Sequence, residues 1–305
     1  MAQNTVDAGA HGYFRPSTAD RGFLVRQAAW AGRFARNKPL PAACGVGVIV
    51  LLLVAVFAEQ IAPQAYDDFA PRDRLQGASS SHLMGTDDQG RDIFSRVVYG
   101  ARVSIVVGFG TILLSQTLAT LIGVSSGYFG GWIDTLGQRL VDTGQAFPGL
   151  VFIISLISIF GQGQTQIILA LGLVLTFGSS RVIRGAAIAV RQNAFVEAAQ
   201  ATGAGHGRIL LRHILPNVMP VIIVGATIQL GAAILVESSL SFLGYGVPPP
   251  FPSWGRMLND ARQWMINYPH MAMFPGLAIF LTVYAFNMLG DGLRDVLDPR
   301  LRGSR

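Results

Sequence analysis

The sequence predicts an all-α integral membrane protein with about six transmembrane helices. Three observations carry that prediction. Mean hydropathy is +0.44, with 51% hydrophobic and only 13% charged residues, too few charges to cover a water-soluble surface. The apolar residues gather into runs of about 20, the length a helix needs to cross a bilayer core. Basic residues collect at the ends of those runs, where membrane orientation accounts for them better than nucleic-acid binding does.

Taken in order, residues 1–30 mix Gly, Asp, Arg and Ser without a period and read as a mobile tail. The stretch before the first apolar run is too long and irregular for the basic region of a signal peptide, so the run at 42–62 is expected to remain as an anchor. Further spans are expected near 101–124, 135–160, 166–188, 217–243 and 271–290. The third is the weakest. Arg139, Asp142 and Gln145 interrupt its first half, only GLVFIISLISIF is strongly apolar, and Pro148 predicts a kink.

Orientation follows from counting Lys and Arg on the two sides. With the N-terminus inside, roughly 16 basic residues fall on that side, against roughly 7 in the two large loops opposite. Both termini and the 189–216 segment are therefore expected to face the cytoplasm. The net charge of +6 is almost all arginine, Lys38 being the only lysine. The single cysteine, Cys44, leaves no internal disulfide.

The outer loops carry structure of their own. In MGTDDQGRDIFSRVVYG, 84–100, Thr86 or Asp87 is placed to cap a helix, and Asp92 and Arg96 stand at an i,i+4 spacing. VPPPFPSW, 247–254, is stiff and turn-rich. Trp254, Met257, Leu258, Ala261, Trp264 and Met265 then recur at helical spacing, which suits a helix on the outer interface with its tryptophans at headgroup level.

Between the fourth and fifth spans lies EAAQATGAGHGRILLRHILP, 197–216, polar, small and glycine-spotted. Asn193 can cap a helix through AFVEAAQAT. Gly203, Gly205 and Gly207 break it, and GRILLRHIL forms a second short helix ending before Pro216. Ala198, Ala199 and Ala201 let another backbone approach, while Glu197, Arg208 and Arg212 orient the unit by charge. Such a shape suits docking against another protein better than holding a small ligand.

E-A-A, three residues, G, and an L-P thirteen residues after Gly203 resemble the EAA loop of bacterial ABC importer permeases. Glu197, Ala198, Ala199, Gly203, Leu215 and Pro216 match position by position, and His213 takes a place that is aliphatic in the general pattern. GTDDQGRDIFSRVVYGARVS (85–104), ESSLSFLGYGVPPPFPSWG (237–255) and GDGLRDVLDPRLR (290–302) resemble the second permease subunit of dipeptide and oligopeptide importers, the DppC/OppC type. The resemblance runs from about residue 40 to the C-terminus. It implies a type I ABC importer permease fold in which the loop is a coupling helix seated in a cleft of an ATP-hydrolysing subunit. It also implies a homologous second permease, ATP-binding subunits or a two-domain ATPase, and an extracytoplasmic peptide-binding protein.

The domain reading is a cytoplasmic tail at 1–40, a first transmembrane helix and extracytoplasmic loop at 41–100, a permease core at 101–292 with the coupling loop at 193–216, and a C-terminal tail at 293–305. No catalytic residue is expected. A P-loop needs G-x-x-x-x-G-K-[ST], and Lys38 sits in RNKPL without those glycines. No cofactor is expected in this chain, with ATP and Mg on partner subunits.

Other motifs weigh less. GVSSG, 123–127, matches G-x-S-x-G but ends a membrane span, so Gly123, Gly127 and Gly131 read as a packing face or turn. His206 and His213 lack metal-ligand spacing, and Asp87, Asp88 and Asp92 do not fit a calcium loop. Inside the spans, Asp142 is either a wall of the translocation path or the partner of Arg139, and Glu237 lines an outer mouth or reaches the interface. Gln145 and Gln229 are further candidates for the path, and Arg181 and Arg184 snorkel inward. The expected function is half of an ATP-driven pathway for di-/oligopeptides in the bacterial inner membrane. The alternatives are an ATP-independent channel or secondary carrier, a structural membrane subunit, or an ABC importer for nickel, glutathione or haem.

Overall fold

The computed structural model describes residues 32, 34–36 and 38–297, and among these the regular structure is helical. The expected tail at 1–30 and the terminus at 298–305 lie outside the described residues. The helices of eight or more residues are α1 (Pro39–Val56), α2 (Ile93–Phe129), α3 (Gly131–Gln145), α4 (Gly149–Phe160), α5 (Gln164–Arg191), α6 (Ala194–Ala201), α7 (His206–Phe242), α8 (Trp254–Ala261) and α9 (His270–Leu297). Five are long and apolar enough to cross a membrane, or six if the bent pair α3–α4 is one span. That pair meets at 87° across Ala146–Pro148, where proline lacks the N–H to continue the ladder.

The long helices run up and down between two ends. The near end gathers Lys38, which pairs with Asp295 at 2.6 Å, the α2–α3 turn and residues 189–216. The far end gathers residues 57–92 and 243–269. Helices α2 and α5 form the most extensive contact. Glycines bring their backbones together: a Cβ at Gly123 would lie 2.6 Å from the carbonyl of Ser180, and one at Gly127 2.8 Å from that of Arg184. Gly131 takes no part. It opens α3, and a Cβ there would meet nothing. The GVSSG stretch is mid-helix and forms no nucleophile elbow.

Two apolar cores result. The larger runs from mid-bundle to the far end, with Val107, Ile167, Ala233, Ile234 and Trp254 almost wholly enclosed. The smaller, around Ile183, Ala187, Val196, Ile209, Ile214 and Val218, fastens the near-end loop to α2, α5 and α7.

The far end departs from sequence expectation in three ways. Helix α2 starts at Ile93 rather than 101. Its cap is Asp92, not Thr86 or Asp87: the carboxylate accepts from Ser95 N at 2.8 Å and Ser95 Oγ at 2.7 Å. Asp92 also meets His82 Nδ1 at 3.1 Å, so Arg96 faces Asp87 and Asp260 instead. The front of the tryptophan-led stripe, Trp254, Met257 and Ala261, is covered by protein, while the helix stops at Ala261 and Met265 beyond it is 49% exposed. Trp254 is 1% exposed and donates its indole N–H to the carbonyl of Val97 at 2.9 Å. Glycines permit the fit, since a Cβ at Gly255 would lie 2.1 Å from the carbonyl of Ser238.

Candidate functional site

The sequence-predicted coupling residues come together at the near end. Asn193 precedes α6 as expected, but its side chain donates back to the carbonyls of Ala189 and Val190 and does not cap the helix. Helix α6 closes in a Schellman motif. Ala204 N donates to Ala199 O at 3.0 Å, Gly203 N donates to Gln200 O at 2.9 Å, and Gly203 takes φ +79°, a left-handed conformation open to glycine.

The second half of the unit differs from expectation. GRILLRHIL does not end before Pro216 but continues into a single 37-residue helix, α7. A π-turn over Leu210–Ile214 lets the ladder absorb the missing N–H of Pro216, and Asn217 Nδ2 donates to the carbonyl of His213 at 2.6 Å. The segment that follows the glycines is therefore the end of a span. His213 is half-buried, and its neighbour Ile214 is fully buried.

Burial divides the unit into a seat and a face. Val196, Ile209 and Ile214 are enclosed beneath it. Glu197, Ala198, Gly203, Arg208 and Pro216 are exposed, and Ala199 and Leu215 are half-buried. No side chain or backbone approaches within 4 Å of where a Cβ would stand at Gly203, Gly205 or Gly207. These glycines leave the surface open rather than filling an internal contact. Beside them Glu197 lines a polar cleft of about 480 Å³ with Asp134, Arg191 and Gln200.

One side-chain hydrogen bond that the sequence did not signal fastens the unit. Tyr128 Oη, at the end of α2, lies 2.8 Å from His206 Nδ1, at the start of α7. The Tyr128 ring is 4% exposed, and Arg191 stands 6.0 Å from its centroid. His206 is thus a packing partner, not a ligand, and among the described residues no group of three or more His, Cys, Asp or Glu could hold a metal ion.

The path candidates are not brought together. Asp142 pairs with Arg181 of α5 rather than with Arg139. Arg184 makes a two-pronged bond to Asp134 at 2.6 and 2.5 Å. Gln145 is exposed one turn from Asp142. Gln229 is half-buried in a junction of three helices, with its Oε1 accepting from Gln116 Nε2 at 3.1 Å and its Nε2 donating to Ser179 Oγ at 2.7 Å. Glu237 neither lines a mouth nor reaches an interface. It is 0% exposed, accepting from Ser241 Oγ at 2.7 Å and, more weakly, from Ser104 and Ser238 at 3.4 and 3.5 Å. Serines from α2 and α7 replace the water that a carboxyl needs.

Comparison with known proteins is consistent across sequence and fold. Residues 119–303 match the family described as binding-protein-dependent transport system inner membrane component. The chain is 41% identical over 271 residues to the glutathione transport system permease protein GsiD of Pectobacterium atrosepticum, spanning 88% of this chain and 90% of that one. It is 43% identical over 260 residues to the dipeptide transport system permease protein DppC of Alkalihalophilus pseudofirmus, spanning 84% and 86%. Its fold resembles a solved structure of the MetNI methionine ABC transporter in an inward facing conformation, with TM-score 0.51, 18% identity and coverage of 66% of this chain and 94% of that one. A solved amino acid ABC transporter gives TM-score 0.52 at 14% identity, covering 67% and 94%.

Proposed function

The chain belongs to the family of binding-protein-dependent transport system inner membrane components, and on that premise we propose that it forms half of a translocation pathway for di- and oligopeptides, driven through the 193–216 unit. As an ABC importer permease subunit it is a multi-pass membrane protein and the non-catalytic pore component, with the ATPase on a separate subunit. Membership implies ATP-binding subunits, a partner permease and a substrate-binding protein. Glutathione, the cargo named for the GsiD relatives, is a peptide and falls in the same class.

The observation that supports this reading is the division of the 193–216 unit into a buried apolar seat and an open face of Glu197, Ala198, Gly203 and Arg208. ATP and Mg belong to the partner subunits, either two separate chains or one fused ATPase, and this chain takes no cofactor. Nucleotide binding draws those subunits together and shifts the docked face. The long helices then rock between states open to one side and to the other. In this reading the near end faces the bacterial cytoplasm with both termini, and the far end receives the peptide-binding protein. Asp142, Gln145 and Gln229 are assigned to the pathway side of the bundle, and enclosed Glu237 to its support.

The test places a photo-crosslinking residue at Ala198 and, as a control, at exposed Phe69 of the far end. The expected adduct joins Ala198 to the ATPase subunit. An ATPase adduct from Phe69, or from neither position in an assembled complex, would overturn the assignment.

A further inference from the structure

Four far-end segments meet around a cleft of about 240 Å³, somewhat below the roughly 300–1,000 Å³ of pockets for drug-sized ligands. Asp67, Arg91, Arg96, Phe251, Arg256 and Asp260 line it. Its charges are unevenly satisfied. Arg91 Nε donates to Asp87 at 2.6 Å. The remaining separations are long: Arg256 to Asp260 3.4 Å, Arg96 to Asp87 3.6 Å, Arg91 to Asp260 3.8 Å and Arg96 to Asp260 3.9 Å. A charge-assisted N–H···O bond is about 2.7–2.9 Å. Asp260 therefore serves three guanidiniums and completes a short bond with none.

Arg96 is buried, and among the described residues its one side-chain hydrogen bond goes from Nη1 to the carbonyl of Tyr66 at 3.1 Å. The Arg256 side chain has no hydrogen bond among the described residues, and Asp67 there has no ion-pair partner. Two guanidinium forks with spare donors and one carboxylate without a cation thus face the same small polar volume. Phe251 walls it, stacked on Tyr66 with ring centroids 5.9 Å apart. Arg96 is buried and Arg256 half-buried, so their spare donors reach only the water of this small cleft, while Asp67 stands exposed at its edge.

We propose that this cleft binds the free termini of a short peptide, its carboxylate on Arg96 and Arg256 and its ammonium on Asp67. Planar guanidiniums suit a carboxylate, whose two oxygens accept two parallel N–H bonds. Phe251 offers an apolar wall to side chains of any shape. The cargos named for the relatives, a dipeptide and glutathione, share a free ammonium and a free carboxylate and differ in most else. The inference rests on the reading that the far end faces outside and that the solute is peptide-like.

The test uses the assembled complex in lipid nanodiscs without added binding protein, with glycylglycine as the probe and saturation-transfer NMR as the readout. Glycylglycine is expected to bind, and glycylglycinamide and N-acetylglycylglycine to bind at least about tenfold more weakly, each having lost one charge-assisted contact. Arg256→Gln and Asp67→Asn are expected to weaken glycylglycine to a similar degree. The ligand analogues carry the test on unmodified protein should either variant fail to assemble. Equal signals from the three compounds, or none from glycylglycine, overturn the proposal. Uptake measured on the same complex reconstituted into proteoliposomes, with its binding protein added, separates the two readings. Peptide import with equal signals removes the cleft alone, whereas discrimination without import sustains the cleft and removes peptide as the transported cargo.

Discussion

At the far end Asp87, Asp92, Arg96 and Glu237 are all buried, and each finds its partner inside the chain. At the near end Glu197, Arg208 and Arg212 are exposed and have no ion-pair partner among the described residues. The far end buries Trp254 but leaves Phe69, Phe251 and Ile266 59%, 51% and 89% exposed, and the near end leaves Phe195 and Leu211 44% and 70% exposed, so exposed apolar side chains do not separate the two ends. Outside the cleft around Asp260, the far end pairs its buried charges within the chain. The near end presents Glu197, Arg208 and Arg212 to solvent without an ion-pair partner among the described residues, beside the small residues Ala198 and Gly203.

This contrast is open to direct attack. The largest effect is expected from Trp254→Ala, which removes a fully buried indole and its bond to Val97 and should cost about 3–5 kcal/mol. Thermal denaturation of the solubilised complex should show a lowered midpoint, while surviving molecules keep their ratio of uptake to ATP turnover. An unchanged midpoint would break the picture of a self-supporting far end.

Gly203→Val comes next. A β-branched residue at φ +79° costs on the order of 1–2 kcal/mol locally, and nothing internal clashes with it. Assembly should survive in part, with uptake in proteoliposomes falling much further than ATP hydrolysis. Unchanged peptide uptake would remove the loop as the element that transmits force.

The smallest expected effect is that of Tyr128→Phe, which deletes one hydroxyl and its bond to His206 at about 0.5–1.5 kcal/mol. The midpoint should barely move, while the uptake-to-hydrolysis ratio drops measurably. An equal, small loss of both activities would make the bond a local brace and no more.

Much of this fold is legible in the chain, because a bilayer demands apolar runs of one length and Pro148 leaves its mark as a bend. The break in the 193–216 unit is legible too, since Gly203 takes the left-handed conformation that closes α6. What the residues do not announce are partners distant in sequence. Asp142 chooses Arg181, 39 positions away, over Arg139 three positions away, and Glu237 meets Ser104 across 133 positions. The Trp254 stripe has helical period whether lipid or protein covers it, so its period could not say which. Pro216 reads as a terminator because the rule assumes a regular ladder, and the π-turn before it relaxes that assumption.

That π-turn also buffers the length of the chain. A π-turn holds one residue more than the α-helical turn it replaces, whereas each residue of a regular α-helix turns through about 100°. Deleting one residue between Leu210 and Ile214 lets the turn revert to α, and Gly207 and Arg208 keep their direction around the axis of the span. A residue lost from the regular part of α7 would instead swing everything beyond it through about that angle. The exposed face of the 193–216 unit thus tolerates a lost codon at the π-turn that it would not tolerate a few turns further along the span.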